Sequence, residues 1–199
     1  MLLYDNPISS NALKVRFLLA ELGIAYERRD VPLEKPRPDW YLALNPVGAI
    51  PALDDDGYFL TESNTILRYL AAREGRSDLY PEAPQERARV DEFLDRWSTG
   101  LRNAFYRVER HVLGFGGVPV DMEKARAEAS GIGDALATLE GLIEGKTVLG
   151  SLTIADFAIA PVLFRSAGIP LDLAPYPRIS RLREALVSRP SFVAAGPVH

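Results

Sequence analysis

The stretch Asn45-Pro46-Val47-Gly48-Ala49-Ile50-Pro51-Ala52-Leu53, with Thr61-Glu62-Ser63 close behind it, decides how this chain reads. A proline directly after an apolar residue, at the head of a short apolar run, suits the start of a strand where no backbone donor is needed. X-Pro is also the one peptide bond that readily becomes cis, and a cis turn here points the N–H and C=O of Ile50 outward. Those two groups can pair with an extended peptide as if it were one more strand. Glu62-Ser63 then opens a helical pattern carried by Ile66, Leu67 and Leu70. The first turn of a helix offers N–H groups to a carboxylate. A backbone clamp beside a carboxylate clamp describes a site for a short peptide with an unusual end.

Outward from this stretch the chain has two textures. Leu2 to Asp5 reads as a short strand broken by Asn6-Pro7. Asn11 to Leu22 suits an amphipathic helix, with Gly23 as its stop. Tyr26 to Val31 reads as a second strand and Pro36 to Leu44 as a short helix. Pro51–Leu53 and Tyr58–Leu60 flank Asp56-Gly57, a hairpin turn pair. A helix from Glu62 to Glu74 closes at Gly75. This β-α-β-α-β-β-α order over residues 1–75 predicts an α/β unit of thioredoxin-like type. Residues 76–84, with two prolines and no periodicity, read as a linker. Residues 85–199 read as all-helical, with one long helix from Gln85 to about Leu113 and another from Met122 to Ile143, weakened at Gly131-Ile132-Gly133.

Composition narrows the chemistry. The 199 residues are 47% hydrophobic and 25% charged, which is ordinary for a globular protein. The net charge of −4, with both signs interspersed, gives no basic face for nucleic acid. No apolar run of membrane-spanning length and no signal-peptide pattern stand out, so a soluble cytoplasmic protein without a membrane partner is expected. Cysteine is absent, which excludes disulfides, thiolate zinc sites and a cysteine nucleophile. His111 and His199 are the only imidazoles, and no metal site is expected. The chemistry must come from a hydroxyl, a carboxylate, a guanidinium or something bound.

In the helical half, Gly150-Ser151-Leu152-Thr153-Ile154-Ala155-Asp156-Phe157 is the sharpest motif. Thr153 suits an N-cap, Asp156 can reach back to the cap's N–H, and Leu152 and Phe157 stand in hydrophobic-staple positions. Asp156 therefore reads as a folding device and not as a catalyst.

With this motif, the Ile50-Pro51 region and the ending Tyr176-Pro177-Arg178…Arg189-Pro190-Ser191-Phe192 in order, the chain resembles the glutathione transferases along its whole length. The resemblance implies a thioredoxin-like N-terminal domain, an all-α C-terminal bundle, glutathione as co-substrate and a homodimer. Ile50, set by a cis Pro51, would pair through its backbone with the cysteinyl residue of glutathione. Ser63 would hold the γ-glutamyl carboxylate and Glu62 would lie near the ammonium. Lys35 or Arg37 would meet the glycine carboxylate; solvated loop charges are the plainer reading of both. Ala49 stands where many members carry glutamine or lysine, and one lost hydrogen bond there costs about 1 kcal/mol of binding.

Such an enzyme must hold the sulfur as thiolate near neutral pH, although a free thiol has a pKa of about 8.5. A hydroxyl donor and a helix N-terminus both favour the anion. Pro7-Ile8-Ser9-Ser10-Asn11 puts three polar side chains between the first strand and the first helix. Ser10 or Asn11 reads as the N-cap. By similarity to the serine-type phi and zeta patterns, Ser9 is the expected thiolate donor, Ser10 the next candidate and Asn11 a supporting donor. Tyr4 is an alternative hydroxyl placed early, inside the strand. For a second substrate, expected between the two halves and against the long helix, Arg102, Phe105, Tyr106 and Glu109 form one stripe. Aromatics at this spacing are more often core. An electrophile with an apolar body would suit Phe105 and Tyr106, and Arg102 would offset developing negative charge. The alternatives to this transferase reading are a zeta-type cis–trans isomerase, favoured by Ser9-Ser10, and a non-enzymatic relative kept for protein interaction.

Overall fold

A computed structural model describes residues 1–197, so His199 lies outside the described residues. The chain forms two compact units, residues 1–81 with 188–197, and Glu82–Val187.

The first unit runs β1 (Leu2–Asp5), α1 (Ser10–Leu22), β2 (Glu27–Asp30), α2 (Asp39–Leu42), β3 (Ala52–Asp55), β4 (Tyr58–Leu60) and α3 (Ser63–Arg73). The sheet order is β2-β1-β3-β4. β1 pairs parallel with β2, antiparallel with β3, and β3 antiparallel with β4. β2, Glu-Arg-Arg-Asp, lies at a sheet edge and is exposed throughout. The turn at Asp56-Gly57 places both residues at positive φ, 52° and 95°, as a two-residue hairpin loop demands. Leu3, Leu13, Phe17, Leu18, Leu53, Ile66, Leu67 and Leu70 fill the core.

The second unit is helical: α4 (Pro84–Arg96), α5 (Arg102–Leu113), α6 (Met122–Ser130), α7 (Gly133–Leu142), α8 (Ile154–Arg165) and α9 (Pro177–Val187). The long helix expected from Gln85 carries one π-helical turn at Trp97–Leu101. The helix expected over 122–143 breaks at Gly131-Ile132, where the glycines weaken it. Glu140 caps α9, its carboxylate accepting the N–H groups of Arg178 and Ile179, both at 2.9 Å. Among the described residues no helix is long and apolar enough to cross a membrane.

The reading of 85–199 as one helical domain is corrected at its end. Residues 188–197, which hold α10 (Pro190–Ala194), group with the α/β unit. Phe192 stands edge-on to Phe17 of α1, ring centres 5.1 Å apart, and the Glu21 carboxylate accepts from Arg189 and Ser191.

Asp156 is fully buried at the start of α8. Its oxygens accept from the N–H of Val148 and of Thr153, both at 2.8 Å. Burial pushes its carboxyl up from 3.8 to about 6, with the Thr153 and Val148 N–H groups pulling back. Asp156→Ala strands two buried donors and is expected to cost about 2–5 kcal/mol in urea unfolding at pH 7.5. A carboxyl whose pKa is raised by folding contributes stability below its unfolded value that is lost as pH rises through the folded one. The wild-type advantage over Asp156→Asn is therefore expected to be larger at pH 4.5 than at pH 7.5, by on the order of 1–2 kcal/mol.

Candidate active site

Strand register gathers the candidate residues at one end of the sheet. Tyr4 faces Ala52 near the end of β1, so the loop after β1 and the Ile50-Pro51 step before β3 are neighbours. Leu53 faces Leu60, so β4 also runs out at that end and delivers Glu62-Ser63 to it. Ala12, in the first turn of α1, lies in one buried cluster with Tyr4, Ile50 and Ala52. Lys14 of α1 donates to Asn64 Oδ1 in the first turn of α3, tying the two helix starts together.

Ser9 itself caps α1. It is extended, φ −77° and ψ 116°, and its Oγ accepts from the N–H of Ala12 at 3.2 Å. A hydroxyl used as an acceptor keeps its hydrogen to donate elsewhere. The cap assigned from sequence to Ser10 or Asn11 thus belongs to Ser9, one residue earlier, because the helix begins at Ser10. Ser10 is buried and Asn11 exposed in that first turn. Asn6, read from sequence only as a strand breaker, shapes the loop. Its Nδ2 donates to the carbonyl of Val31 at 2.9 Å and its Oδ1 accepts from Ile8 N–H at 3.1 Å. Its own carbonyl accepts from Ser9 N–H at 3.0 Å. Tyr4, the alternative hydroxyl, is buried with its ring against Trp40, Tyr41 and Phe59.

The Ile50-Pro51 bond is cis. Among the described residues the N–H and C=O of Ile50 have no hydrogen-bond partner. The residue before it is fixed instead: the carbonyl of Ala49 accepts from Tyr41 OH and, at 2.9 Å, from Asn45 Nδ2. Burial raises the pKa of the Tyr41 hydroxyl, the Asn45 contact opposing it, so the donor keeps its proton at neutral pH. Ala49, which by the resemblance stands where many members carry glutamine or lysine, is held through its main chain.

Glu62 stands at φ 65°, an uncommon conformation for a residue with a Cβ, and its carbonyl accepts from Ile66 N–H to begin α3. Ser63 follows, half-buried, with its N–H and hydroxyl making no hydrogen bond among the described residues. Of the two expected cations, Lys35 is exposed beside a second cis bond, Lys35-Pro36. Arg37 is committed to backbone carbonyls: Nε donates to Gly48 O at 3.0 Å, and Nη1 to Pro32 O and Glu34 O.

The stripe on α5 splits. Phe105 is fully buried, its ring 5.8 Å from Trp97, and Glu109 is fully buried too. Phe105 lies four residues past Leu101 and three before Val108, which puts it on the core face. It is core and not a pocket wall. Arg102 is half-buried, pairs with Glu109 Oε2 at 2.8 Å and lies 5.5 Å over the ring of exposed Tyr106.

A thioredoxin-like sheet with a cis-proline step and two helix starts at one end, followed by an all-helical unit, is a transferase architecture. Residues 3–78 match the glutathione S-transferase N-terminal domain family and residues 122–185 the corresponding C-terminal domain family. The chain is 30% identical to a probable maleylacetoacetate isomerase of Caenorhabditis elegans, covering 98% of this chain and 92% of that protein. It is 32% identical to the glutathione S-transferase GstB of Escherichia coli, covering 95% and 94%. A crystal structure of a theta-class glutathione S-transferase from Xanthomonas axonopodis pv. citri with glutathione bound superposes with a TM-score of 0.85. It shares 26% identity and covers 100% of this chain and 97% of that one. The chain belongs to the glutathione S-transferase family.

Two donors on one carbonyl make a testable redundancy. Tyr41→Phe and Asn45→Ala are each expected to cost about 1 kcal/mol, and the double variant more than their sum, because the Ala49 carbonyl is then left without a partner. Urea unfolding of the four proteins measures the coupling.

Proposed function

We propose that this protein adds the glutathione thiolate to small electrophiles with an apolar body. The observation that carries the reading is the convergence at one sheet end of Ser9, the Ile50 backbone and the N–H and hydroxyl of Ser63, the last two without partners among the described residues. In this reading glutathione lies extended along Ile50, its cysteinyl residue paired with that backbone. Ser63 and the start of α3 take the γ-glutamyl carboxylate, with Glu62 near the ammonium. Lys35 takes the glycine carboxylate, since Arg37 is occupied with the carbonyls of Pro32, Glu34 and Gly48. Ser9 Oγ donates to the sulfur, and the start of α1 adds its partial positive charge. Both lower the thiol's pKa toward neutrality, and the thiolate then attacks the electrophile. Ser10 and Asn11 stay as supporting candidates. Arg102 and Tyr106 are the remaining candidates for acceptor choice. We further propose a cytoplasmic homodimer with two-fold symmetry, using α3 and α4.

A second reading is a cis–trans isomerase in which the same thiolate adds to a conjugated double bond and leaves again. The Ser9-Ser10 pair favours it, as does the similarity to a protein named maleylacetoacetate isomerase.

Calorimetric titration of glutathione at pH 7 on wild type and Ser9→Ala, with near-ultraviolet absorbance of the thiolate, tests both readings at their shared step. Wild type is expected to bind and show thiolate. Ser9→Ala is expected to bind within about threefold while its thiolate titration moves up by roughly 1–2 pH units. An unchanged titration in Ser9→Ala transfers the role to Ser10 or Asn11, and absence of binding at millimolar glutathione ends the proposal. Turnover of an aryl halide against a cis-configured unsaturated keto acid then separates transfer from isomerisation.

A further inference from the structure

The loop carrying Ser9 is held on one side by Asn6 and on the other by a buried charge. Asp5, the last residue of β1, is fully buried, and Arg16 of α1 is 1% exposed. Arg16 Nη1 donates to both Asp5 oxygens, at 3.2 and 2.9 Å. Its Nη2 donates to the carbonyl of Pro7 at 3.2 Å. Arg28, an exposed side chain, adds a further donor to Asp5 Oδ2 at 2.7 Å from Nε.

A buried ion pair is a weak stabiliser. Desolvating both charges costs about as much as their attraction returns, and apolar residues of similar volume often serve as well or better. An apolar pair cannot supply the bond to Pro7. Proline has no N–H, so its carbonyl is the only backbone group through which that residue can be held. Pro7 lies two residues before Ser9 in a loop whose other anchor is Asn6.

We propose that Arg16 is a positioning residue for Ser9: paired with Asp5, it fixes the Pro7 carbonyl and thereby the direction in which Ser9 Oγ donates. This rests on the transferase reading of Ser9. Arg16 touches neither Ser9 nor the sulfur and acts through the loop. The role needs a guanidinium, whose rigid fork aims nitrogens at Asp5 and Pro7 at once. A lysine ammonium is a single point and can satisfy the charge but not both directions.

Four variants separate charge, packing and position: Arg16→Lys, the apolar pair Asp5→Leu with Arg16→Met, Arg28→Ala and Ser9→Ala. Each is measured for the pH midpoint of glutathione thiolate absorbance, for glutathione affinity, and for amide exchange at Ser9 and Ala12. Arg16→Lys and the apolar pair are expected to move the midpoint upward, in the direction of Ser9→Ala, with affinity within about threefold of wild type. Amide exchange at Ser9 and Ala12 is expected to rise at least ~10-fold while Phe17, Leu18 and Leu19 keep their protection. Arg28→Ala is expected to leave all three readouts unchanged, because it takes one donor from Asp5 and none from Pro7. A lowered Tm with midpoint and local exchange as in wild type, in both Arg16 variants, overturns the proposal and leaves Arg16 a core residue only. If Ser9→Ala leaves the midpoint unmoved, the catalytic reading of Ser9 falls, and the exchange data still decide whether Arg16 holds the loop.

Discussion

Backbone hydrogen bonds that set Tyr4 opposite Ala52 in the β1–β3 ladder are the constraint on which the α/β unit's site rests. An antiparallel pair brings the end of one strand to the start of the other. The loop that leaves β1 toward Ser9 therefore meets the segment that enters β3 through Ile50 and Pro51. The adjoining ladder, with Leu53 opposite Leu60, brings the start of α3 to the same place. A register slip by one residue would turn every side chain on β3 to the other face. It would take Leu53 out of the core and carry Ile50 away from Ala12 and Tyr4, with which it is buried.

Carboxylates do much of the stitching around these elements, and they do it on backbone N–H groups and guanidinium groups. Asp156 satisfies two buried donors ahead of α8, Glu140 satisfies two at the start of α9, and Asp5 gathers Arg16 and Arg28 beside β1. Each is specific in direction: an acceptor pair reached from two sides fixes a loop more tightly than apolar contact alone. The candidate site differs in kind. At Ile50 the N–H and C=O, and at Ser63 the N–H and hydroxyl, have no partner among the described residues, and polar groups of that sort are available to a ligand.

Much of this was legible in the sequence, for local reasons. The cis bond at Ile50-Pro51, the Asp56-Gly57 turn, the Gly23 stop and the Thr153–Asp156 motif are each written by a few adjacent residues whose conformational preferences are strong. What was not legible depends on residues distant in the chain. Ser9 became the cap because Asn6 folds the loop back onto it, and Asn6 is itself held by Val31. From sequence Arg37 is only one of two candidates, with Lys35, for the glycine carboxylate, because spacing does not reveal its three carbonyl partners at Pro32, Glu34 and Gly48. Arg16 does carry a sequence signal: a charge amid the apolar run Leu13–Leu19 announces a buried partner. The π-turn at Trp97–Leu101 had none, since Trp97 and Leu101 keep apolar spacing on either reading.

The grouping of residues 188–197 with the α/β unit makes that unit discontinuous, with the helical unit inserted between its parts. Glu82–Val187 can complete its internal contacts as one uninterrupted stretch. The α/β unit waits for Phe192 to reach Phe17 and for Arg189 to reach Glu21 before its α1 face is covered. Such pairings, some 170 residues apart, are slow to close compared with local helix contacts. Vectorial synthesis from the N-terminus thus delivers the first strands early and their last covering helix late. Until then Phe17 and its apolar neighbours are a sticky, half-dressed surface of the kind that chaperones are built to recognise.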